Sequence, residues 1–195
     1  MTVLVAYASR RGATRGVAER IAARLESHDF EVHRDPLLGR EGVARFEAVI
    51  LGSPVYSGRW EDEAIGFIRR NAGVLAGRPL WTFSVGWLAH HRGLLRRESW
   101  SDAKGLAELD RLLPPREHRF FAGALSPAEL PRFQRWAFRL AGGRYGDFRD
   151  WTAIDAWADE ISNDLAGPGR QTVQTPAMRD PGRRYTAHVT PTQTT

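Results

Sequence analysis

The sequence contains no cysteine among its 195 residues. This absence excludes disulfides, thiolate nucleophiles, iron–sulfur ligation and cysteine-based zinc sites. Redox chemistry in this chain must therefore come from a bound cofactor that brings its own reactive atoms, while the protein supplies binding and orientation.

Long apolar runs are also missing. No stretch approaches the ~20 apolar residues that a transmembrane helix needs. The N-terminus lacks the basic region followed by an apolar one that marks a secretory signal. We therefore expect a cytoplasmic protein, and a chain of 195 residues with 42% hydrophobic content is long enough for one sizeable core.

Lysine is almost absent, since Lys104 is the only one, and the 28 basic residues are otherwise arginines against 23 acidic residues, for a net charge of +5. Much of the excess lies in residues 87–149, which hold twelve basic and seven acidic side chains. This pattern indicates an acidic partner: lipid headgroups, a carboxylate-bearing substrate or another protein. No motif for nucleic acid accompanies it.

Strand-like apolar runs alternate with stretches of helical period. Strands are predicted at 2–8, 30–34, 46–52, 79–85 and 118–125, and helices at 14–27, 61–76, 103–112, 129–141 and 152–165. Alternation of this kind predicts an α/β fold, a doubly wound parallel sheet with helices on both faces. Residues 166–195, rich in Gly, Pro, Thr and Gln, are predicted to be a disordered tail. The rest of the chain, residues 1–165, is predicted to form one domain.

The first strand runs into a turn that can hold a phosphate, with the sequence Ser9-Arg10-Arg11-Gly12-Ala13-Thr14. A strand-to-helix turn aims backbone N–H groups at one point, here together with two hydroxyls, and the helix dipole adds partial positive charge. The glycine spacing of a dinucleotide loop and the lysine of a Walker loop are both missing. The alternative is an ordinary strand-to-helix turn with Thr14 as its cap.

Two later strands also end in segments rich in small residues, Gly52-Ser53-Pro54-Val55-Tyr56-Ser57-Gly58 and Ser84-Val85-Gly86-Trp87. Glycines let a backbone approach a flat ligand closely, and the rings of Tyr56 and Trp87 can lie against it. In open doubly wound sheets, ligands bind at the carboxyl ends of the strands. The three segments together therefore predict one ligand site.

In this order and at these separations, the three segments resemble those of flavodoxin-like FMN proteins, whose phosphate loop reads S/T-x-x-G-x-T. The resemblance covers residues 1 to about 165 and implies an FMN-binding flavoprotein. It implies that residues 9–14 hold the FMN phosphate. It also implies that the segments 52–58 and 84–87 flank the isoalloxazine ring.

Downstream motifs are similar to those of the menaquinone-dependent protoporphyrinogen IX dehydrogenase branch of this family. They are Phe121-Ala122-Gly123-Ala124-Leu125, Leu140-Ala141-Gly142-Gly143 and Asp150-Trp151, with an Arg in the second position of the first loop, Arg10. The resemblance implies an oxidoreductase of heme biosynthesis that oxidises protoporphyrinogen IX at the flavin and passes electrons to a membrane quinone. The alternatives are an electron-transfer module that docks on redox partners and a flavodoxin-fold scaffold without flavin.

The predicted helix Leu130–Ala141 is amphipathic. At ~100° per residue, its aromatic and aliphatic side chains other than Phe138 share one arc, and its three arginines, Arg132, Arg135 and Arg139, share the other. This pattern is typical of a helix that lies in a membrane interface, and would give peripheral contact with a membrane. The alternative is that the apolar arc packs on the protein's own sheet. The pair His90-His91, which follows the segment 84–87, could meet a propionate or protonate a reduced quinone, or have no function.

Overall fold

The computed structural model describes residues 1–37, 42–56, 58–86, 113–126 and 145–167, together with Arg111 and Trp136. Eight strands lie in these ranges: β1 (Thr2–Tyr7), β2 (Glu31–Asp35), β3 (Ala48–Tyr56), β4 (Arg59–Trp60), β5 (Leu80–Gly86), β6 (Glu117–Ala122), β7 (Ala124–Leu125) and β8 (Gly146–Asp147). The helices with described bounds are α1 (Ala13–Glu26), α2 (Asp62–Leu75) and α3 (Trp151–Ala166), and a 3₁₀ turn covers Val43–Arg45.

The central sheet is parallel and has the strand order β2-β1-β3-β5-β6. One face of the sheet packs with α1 and α3, where Ile21, Phe83 and Trp157 are fully buried. The other face packs with α2 through Leu51, Ile68 and their neighbours. Because both faces are covered, the central strands read as nearly continuous apolar runs. The predicted α/β doubly wound architecture is confirmed.

Strand β3 is longer than the sequence predicts. It continues to Tyr56 instead of ending at residue 52. Ser53 and Pro54 keep the parallel pairing with β5, and the last two residues of β3 pair with β4 in a hairpin. The expectation that Gly52 gives a ligand room is also wrong, because a Cβ there would lie 2.1 Å from the Cζ atom of Phe83. Gly52 makes space for a core ring.

The predicted strand 118–125 is two strands, β6 and β7, separated at Gly123. Several predicted features lie outside the described residues: Ser57, Trp87, the pair His90-His91, the predicted helix 103–112 apart from Arg111, the segment Leu130–Ala141 apart from Trp136, and the tail from residue 168 onward.

Ion pairs join α3 to α1 along one side of the molecule. Arg20 Nη2 lies 2.5 Å from Asp155 Oδ2, and Arg24 Nε lies 2.6 Å from Asp159 Oδ1, which His28 Nε2 also contacts at 2.7 Å. Hydrogen bonds from Arg24 and then His28 lower the pKa of Asp159 to about 2. These contacts fix the axis of α1, whose N-terminus faces the candidate site.

Candidate functional site

A cleft of about 340 Å³ opens at the carboxyl ends of the central strands. This volume falls in the range of roughly 300–1,000 Å³ that is usual for small-molecule sites. Its lining comes from the β1–α1 turn, the β3–β4 hairpin, the end of β5 and β7: Ser9, Arg10, Arg11, Ala13, Thr14, Pro54, Val55, Tyr56, Gly58, Val85, Gly86, Gly123, Ala124 and Leu125. The three segments that the sequence indicated therefore do meet at one edge of the sheet.

The β1–α1 turn forms one end of the cleft. Gly12 has φ +80°, a left-handed conformation that glycine adopts without strain. Ser9 Oγ accepts hydrogen bonds from the backbone N–H groups of Gly12 at 3.1 Å and Arg15 at 3.3 Å. Gly12 is the N-cap of α1 and Thr14 is the second residue of the helix, so Thr14 is not the cap that the ordinary-turn alternative expects.

Thr14 is 1% exposed and lines the cleft, and within the described part of the chain its hydroxyl has no hydrogen-bond partner. Ala13 and Thr14 are the first two residues of α1, so no preceding helical turn offers carbonyls to their backbone N–H groups. Buried polar groups are normally hydrogen-bonded. The donors that converge here suit the oxygens of an anionic ligand, which the helix dipole also favours.

An ion pair fastens the turn to the start of α2. Arg10 Nε donates to Glu61 Oε2 at 2.8 Å, and the Glu61 side chain is only 10% exposed. The Glu61 backbone N–H donates to Ser53 Oγ at 3.0 Å. The Ser53 hydroxyl is therefore used to hold the start of α2, and Ser53 does not line the cleft.

Tyr56 presents an aromatic ring at the rim of the cleft, with 37% of its surface exposed. The Cζ atoms of Arg10 and Arg11 lie 5.6 Å and 5.8 Å from the centre of this ring. These distances are within the ~6 Å reach of a cation–π contact. Two guanidinium groups and one ring therefore share the rim, and only one of the cations has a carboxylate partner among the residues described.

The wall opposite the turn includes residues that sequence reasoning did not assign to the site. Gly123 N donates to Gly86 O at 2.8 Å, and Phe148 N donates to Gly123 O at 3.2 Å. β7 then pairs with β8 in an antiparallel ladder. A Cβ on Gly123 would lie 3.2 Å from a Val85 methyl carbon. Glycine is needed at position 123 because its backbone lies close to the end of β5, and this glycine was the feature of the sequence that could have indicated the wall.

Ser84 was expected beside the ligand, but it points into the sheet's α2 side. Its Oγ accepts from Trp60 Nε1 at 2.8 Å and lies 3.2 Å from His118 Nε2. His118 Nδ1 lies 2.7 Å from Thr82 Oγ1. Burial lowers the pKa of His118 to about 3, so this imidazole is neutral at physiological pH. The Ser84 hydroxyl belongs to a buried polar chain and does not line the cleft.

A third arginine, Arg149, lies beside the first turn of α1. Arg149 bonds Asp147 through Nε at 2.8 Å and Nη2 at 2.5 Å, and its Cζ is 4.4 Å from the Trp151 ring centre. A Cβ on Gly16 would lie 2.3 Å from Arg149 Nη1. The hydrogen bond from Arg149 lowers the pKa of Asp147. Gly16 thus lets this pair rest directly against α1.

Eleven of the residues predicted to bind the cofactor line the cleft. They are Ser9, Arg10, Arg11, Ala13, Thr14, Pro54, Val55, Tyr56, Gly58, Val85 and Gly86. Gly12 shapes the turn without lining the cleft, Ser53 and Ser84 bond elsewhere, and Ser57 and Trp87 lie outside the described residues.

The model of the family described as "Flavodoxin domain" matches residues 4–143. The chain belongs to this family. Its fold is similar to that of a flavodoxin from the domain Archaea, with a TM-score of 0.58 and 14% identity over 86% of this chain and 100% of the other. Oxidised flavodoxin 1 from Bacillus cereus has a TM-score of 0.55 and 12% identity over 85% of this chain and 100% of the other.

Another similar structure is the apo form of an NADH:FMN oxidoreductase, with a TM-score of 0.55 and 14% identity over 86% of this chain and 91% of the other. No curated protein sequence matches the chain significantly. In the part of the chain that the structure describes, no helix combines the length and apolar character needed to cross a bilayer.

Proposed function

We propose that the protein is an FMN-dependent oxidoreductase. The observation that carries this proposal is the buried Thr14 hydroxyl at the N-terminus of α1, which has no partner within the described residues. An FMN phosphate would accept from this hydroxyl and from the backbone N–H groups of the same turn. The similar structures support the choice of flavin, because one of them is named as an NADH:FMN oxidoreductase.

The residues of the cleft fit the two ends of FMN. The turn from Ser9 to Thr14 offers hydroxyls and a helix dipole to the phosphate, and Tyr56 offers a ring to the isoalloxazine. When bound, the flavin accepts two electrons and the accompanying protons from a substrate and later releases them to an acceptor. The chain's own residues hold and orient both molecules and need not act as nucleophiles.

For the substrate we propose protoporphyrinogen IX, a reduced tetrapyrrole with two propionates, and for the acceptor a membrane quinone. Oxidation to protoporphyrin IX removes six electrons and six protons in three two-electron steps, each of which converts one quinone to one quinol. The downstream motifs and the arginine-rich rim support this substrate. Heme biosynthesis would then be the pathway served.

A flavodoxin-type electron-transfer module is the second candidate. The full-length coverage of two flavodoxins favours it. The excess of arginine in this chain would then serve to dock an acidic redox partner.

We also propose peripheral contact with the inner face of the cytoplasmic membrane through the segment Leu130–Ala141. Trp136, the one described residue of this segment, is 70% exposed. An exposed Trp among arginines suits a membrane interface, and a quinone that partitions into lipid would reach the flavin there.

The first experiment removes both hydroxyls of the turn by the double substitution Ser9→Ala and Thr14→Ala. Each hydrogen bond to a charged phosphate contributes about 1.5–3 kcal/mol, so FMN affinity should fall at least about ten-fold. Fluorescence titration of FMN measures this. Unchanged affinity would contradict the placement of the phosphate.

The second experiment is an anaerobic assay of the FMN-loaded protein with protoporphyrinogen IX and a menaquinone analogue. The appearance of porphyrin fluorescence, dependent on the quinone, is expected. A protein that binds FMN and transfers electrons to a redox partner, but leaves protoporphyrinogen unoxidised, would establish the electron-transfer alternative.

A further inference from the structure

The rim of the cleft carries two neighbouring arginines in different electrostatic states. The Arg10 guanidinium is paired with the Glu61 carboxylate through contacts of 2.7 Å and 2.8 Å. Arg11 is exposed, lines the same cleft and contacts the Tyr56 ring at 5.8 Å. Among the described residues, no carboxylate lies within ion-pair distance of Arg11. One charge is neutralised within the protein, and the other is available to a ligand.

The position of Arg11 separates it from the phosphate donors. The backbone N–H groups and the Thr14 hydroxyl lie at the first turn of α1, whereas the Arg11 guanidinium lies over the ring of Tyr56, at the end of β3. In FMN a ribityl chain separates the phosphate from the ring. If FMN binds with its phosphate at α1 and its ring toward Tyr56, Arg11 would lie beside that ring, on the side from which a substrate would approach.

We propose that Arg11 is the specificity-determining residue for the substrate, and that it binds a carboxylate of that substrate. This inference rests on the proposed function and narrows it to a class of ligand: a small molecule whose carboxylate lies close to its oxidisable part, as the propionates of a tetrapyrrole do. Guanidinium binds carboxylate through paired, charge-assisted hydrogen bonds, which gives orientation as well as affinity.

Arg10 has a different task. Its ion pair with the largely buried Glu61 joins the β1–α1 turn to the start of α2, and the same contact orients its guanidinium toward Tyr56. Arg10 is thus a positioning residue that fixes one side of the rim. The Tyr56 ring holds the Arg11 guanidinium at the rim of the cleft by a cation–π contact.

The test uses FMN-loaded protein and a stable probe, mesoporphyrin IX, with its dimethyl ester as the uncharged analogue. Wild type, Arg11→Gln and Arg15→Gln are titrated with both probes. Arg15→Gln is the charge-matched control, because the Arg15 side chain pairs with Glu19 on the solvent side of α1. Thermal unfolding confirms that each variant is folded.

Arg11→Gln should weaken mesoporphyrin IX at least about ten-fold, the usual effect of losing a hydrogen bond between charged groups. On protein saturated with FMN, it should leave the dimethyl ester bound as in wild type, and Arg15→Gln should leave the affinities for both probes unchanged. The acid–ester and Arg–Gln comparisons form a cycle that isolates the charged contact.

Three results would overturn the role of Arg11: equal weakening of acid and ester, an equal effect of Arg15→Gln, or weaker FMN with mesoporphyrin unaffected. If wild type binds mesoporphyrin IX and Arg11→Gln binds it equally well, only the assignment of Arg11 is wrong. If FMN-loaded wild type fails to bind mesoporphyrin IX, the tetrapyrrole substrate of the proposed function is wrong, and the assignment of Arg11 falls with it.

Discussion

Replacing Gly12 with Ala tests the conformation on which the β1–α1 turn depends. Gly12 has φ +80°, and no heavy atom lies within 4 Å of a Cβ built on it, so the substitution meets no steric neighbour. The remaining cost is that of a left-handed backbone with a Cβ, about 1–2 kcal/mol. For a chain of this size the thermal midpoint falls roughly 2–4 °C per kcal/mol, which gives an expected decrease of about 2–8 °C.

Gly73→Ala is the matched control. Gly73 lies in α2, has equally open space around its Cβ position and has no positive φ. Alanine in a helix is better than glycine by about 0.5–1 kcal/mol, so the midpoint should rise. The thermal midpoint of Gly12→Asn should lie between those of wild type and Gly12→Ala, because Asn tolerates the left-handed region.

Gly12→Ala and Gly73→Ala are compared with wild type by thermal unfolding without ligand and with saturating FMN. A ligand that binds only the folded protein raises the midpoint according to its affinity, so a smaller rise for Gly12→Ala would show that the turn's shape supports binding. If Gly12→Ala unfolds at the wild-type temperature, or if both alanine variants shift in the same direction, the conformational reasoning is wrong.

Three further predictions concern Tyr56, the ion pairs between α1 and α3, and the proposed membrane contact. Tyr56→Ala should weaken FMN by the ~0.5–1.5 kcal/mol of an aromatic contact and shift the flavin's reduction potential; an unchanged potential and affinity would place the flavin elsewhere. Asp159→Asn should lower the thermal midpoint at neutral pH but not near pH 2. In the folded protein the pKa of Asp159 is about 2, below its ordinary value of 3.8. The carboxylate therefore stabilises the fold above about pH 4, and this contribution is lost as the pH falls toward 2. A deficit that persists at the lowest pH would contradict this assignment. The protein should co-sediment with anionic vesicles at low salt and detach at high salt, and the triple substitution of Arg132, Arg135 and Arg139 by Gln should remove roughly 3 kcal/mol of attraction. Binding that survives this substitution would rule out the segment as the contact.

The sequence predicted the parallel sheet and the helices bounding the cleft because their signals are local. The apolar runs of β1, β3 and β5 need no partner information to be recognised as buried strands. The predicted end of β3 was wrong because Gly52, Ser53 and Pro54 are residue types that are typical of loops. Their pairing with β5 is a contact between distant parts of the chain, and only the assembled sheet shows that Phe83 requires Gly52.

The candidate site divides in the same way. The turn from Ser9 to Thr14 was predictable as part of the cleft, since hydroxyls and a helix N-terminus lie next to each other in the sequence. The absence of Ser53 and Ser84 from the cleft lining could not be predicted. Their hydroxyl oxygens accept hydrogen bonds from the Glu61 amide and the Trp60 indole, and these contacts are set by tertiary packing. Gly123 was missed for the same reason.

The β7–β8 ladder places the two ends of the segment 126–145 beside each other. Leu125 and Gly146 are register partners, and paired Cα atoms in an antiparallel ladder lie about 4.5–5.5 Å apart. A two-residue turn such as Asn-Gly can join strands at that separation. A shortened chain with this turn would retain the cleft-lining residues Ala124 and Leu125 and would lack the segment 130–141. The cofactor binding and the membrane contact proposed above could then be tested separately, in the full-length and the shortened chain.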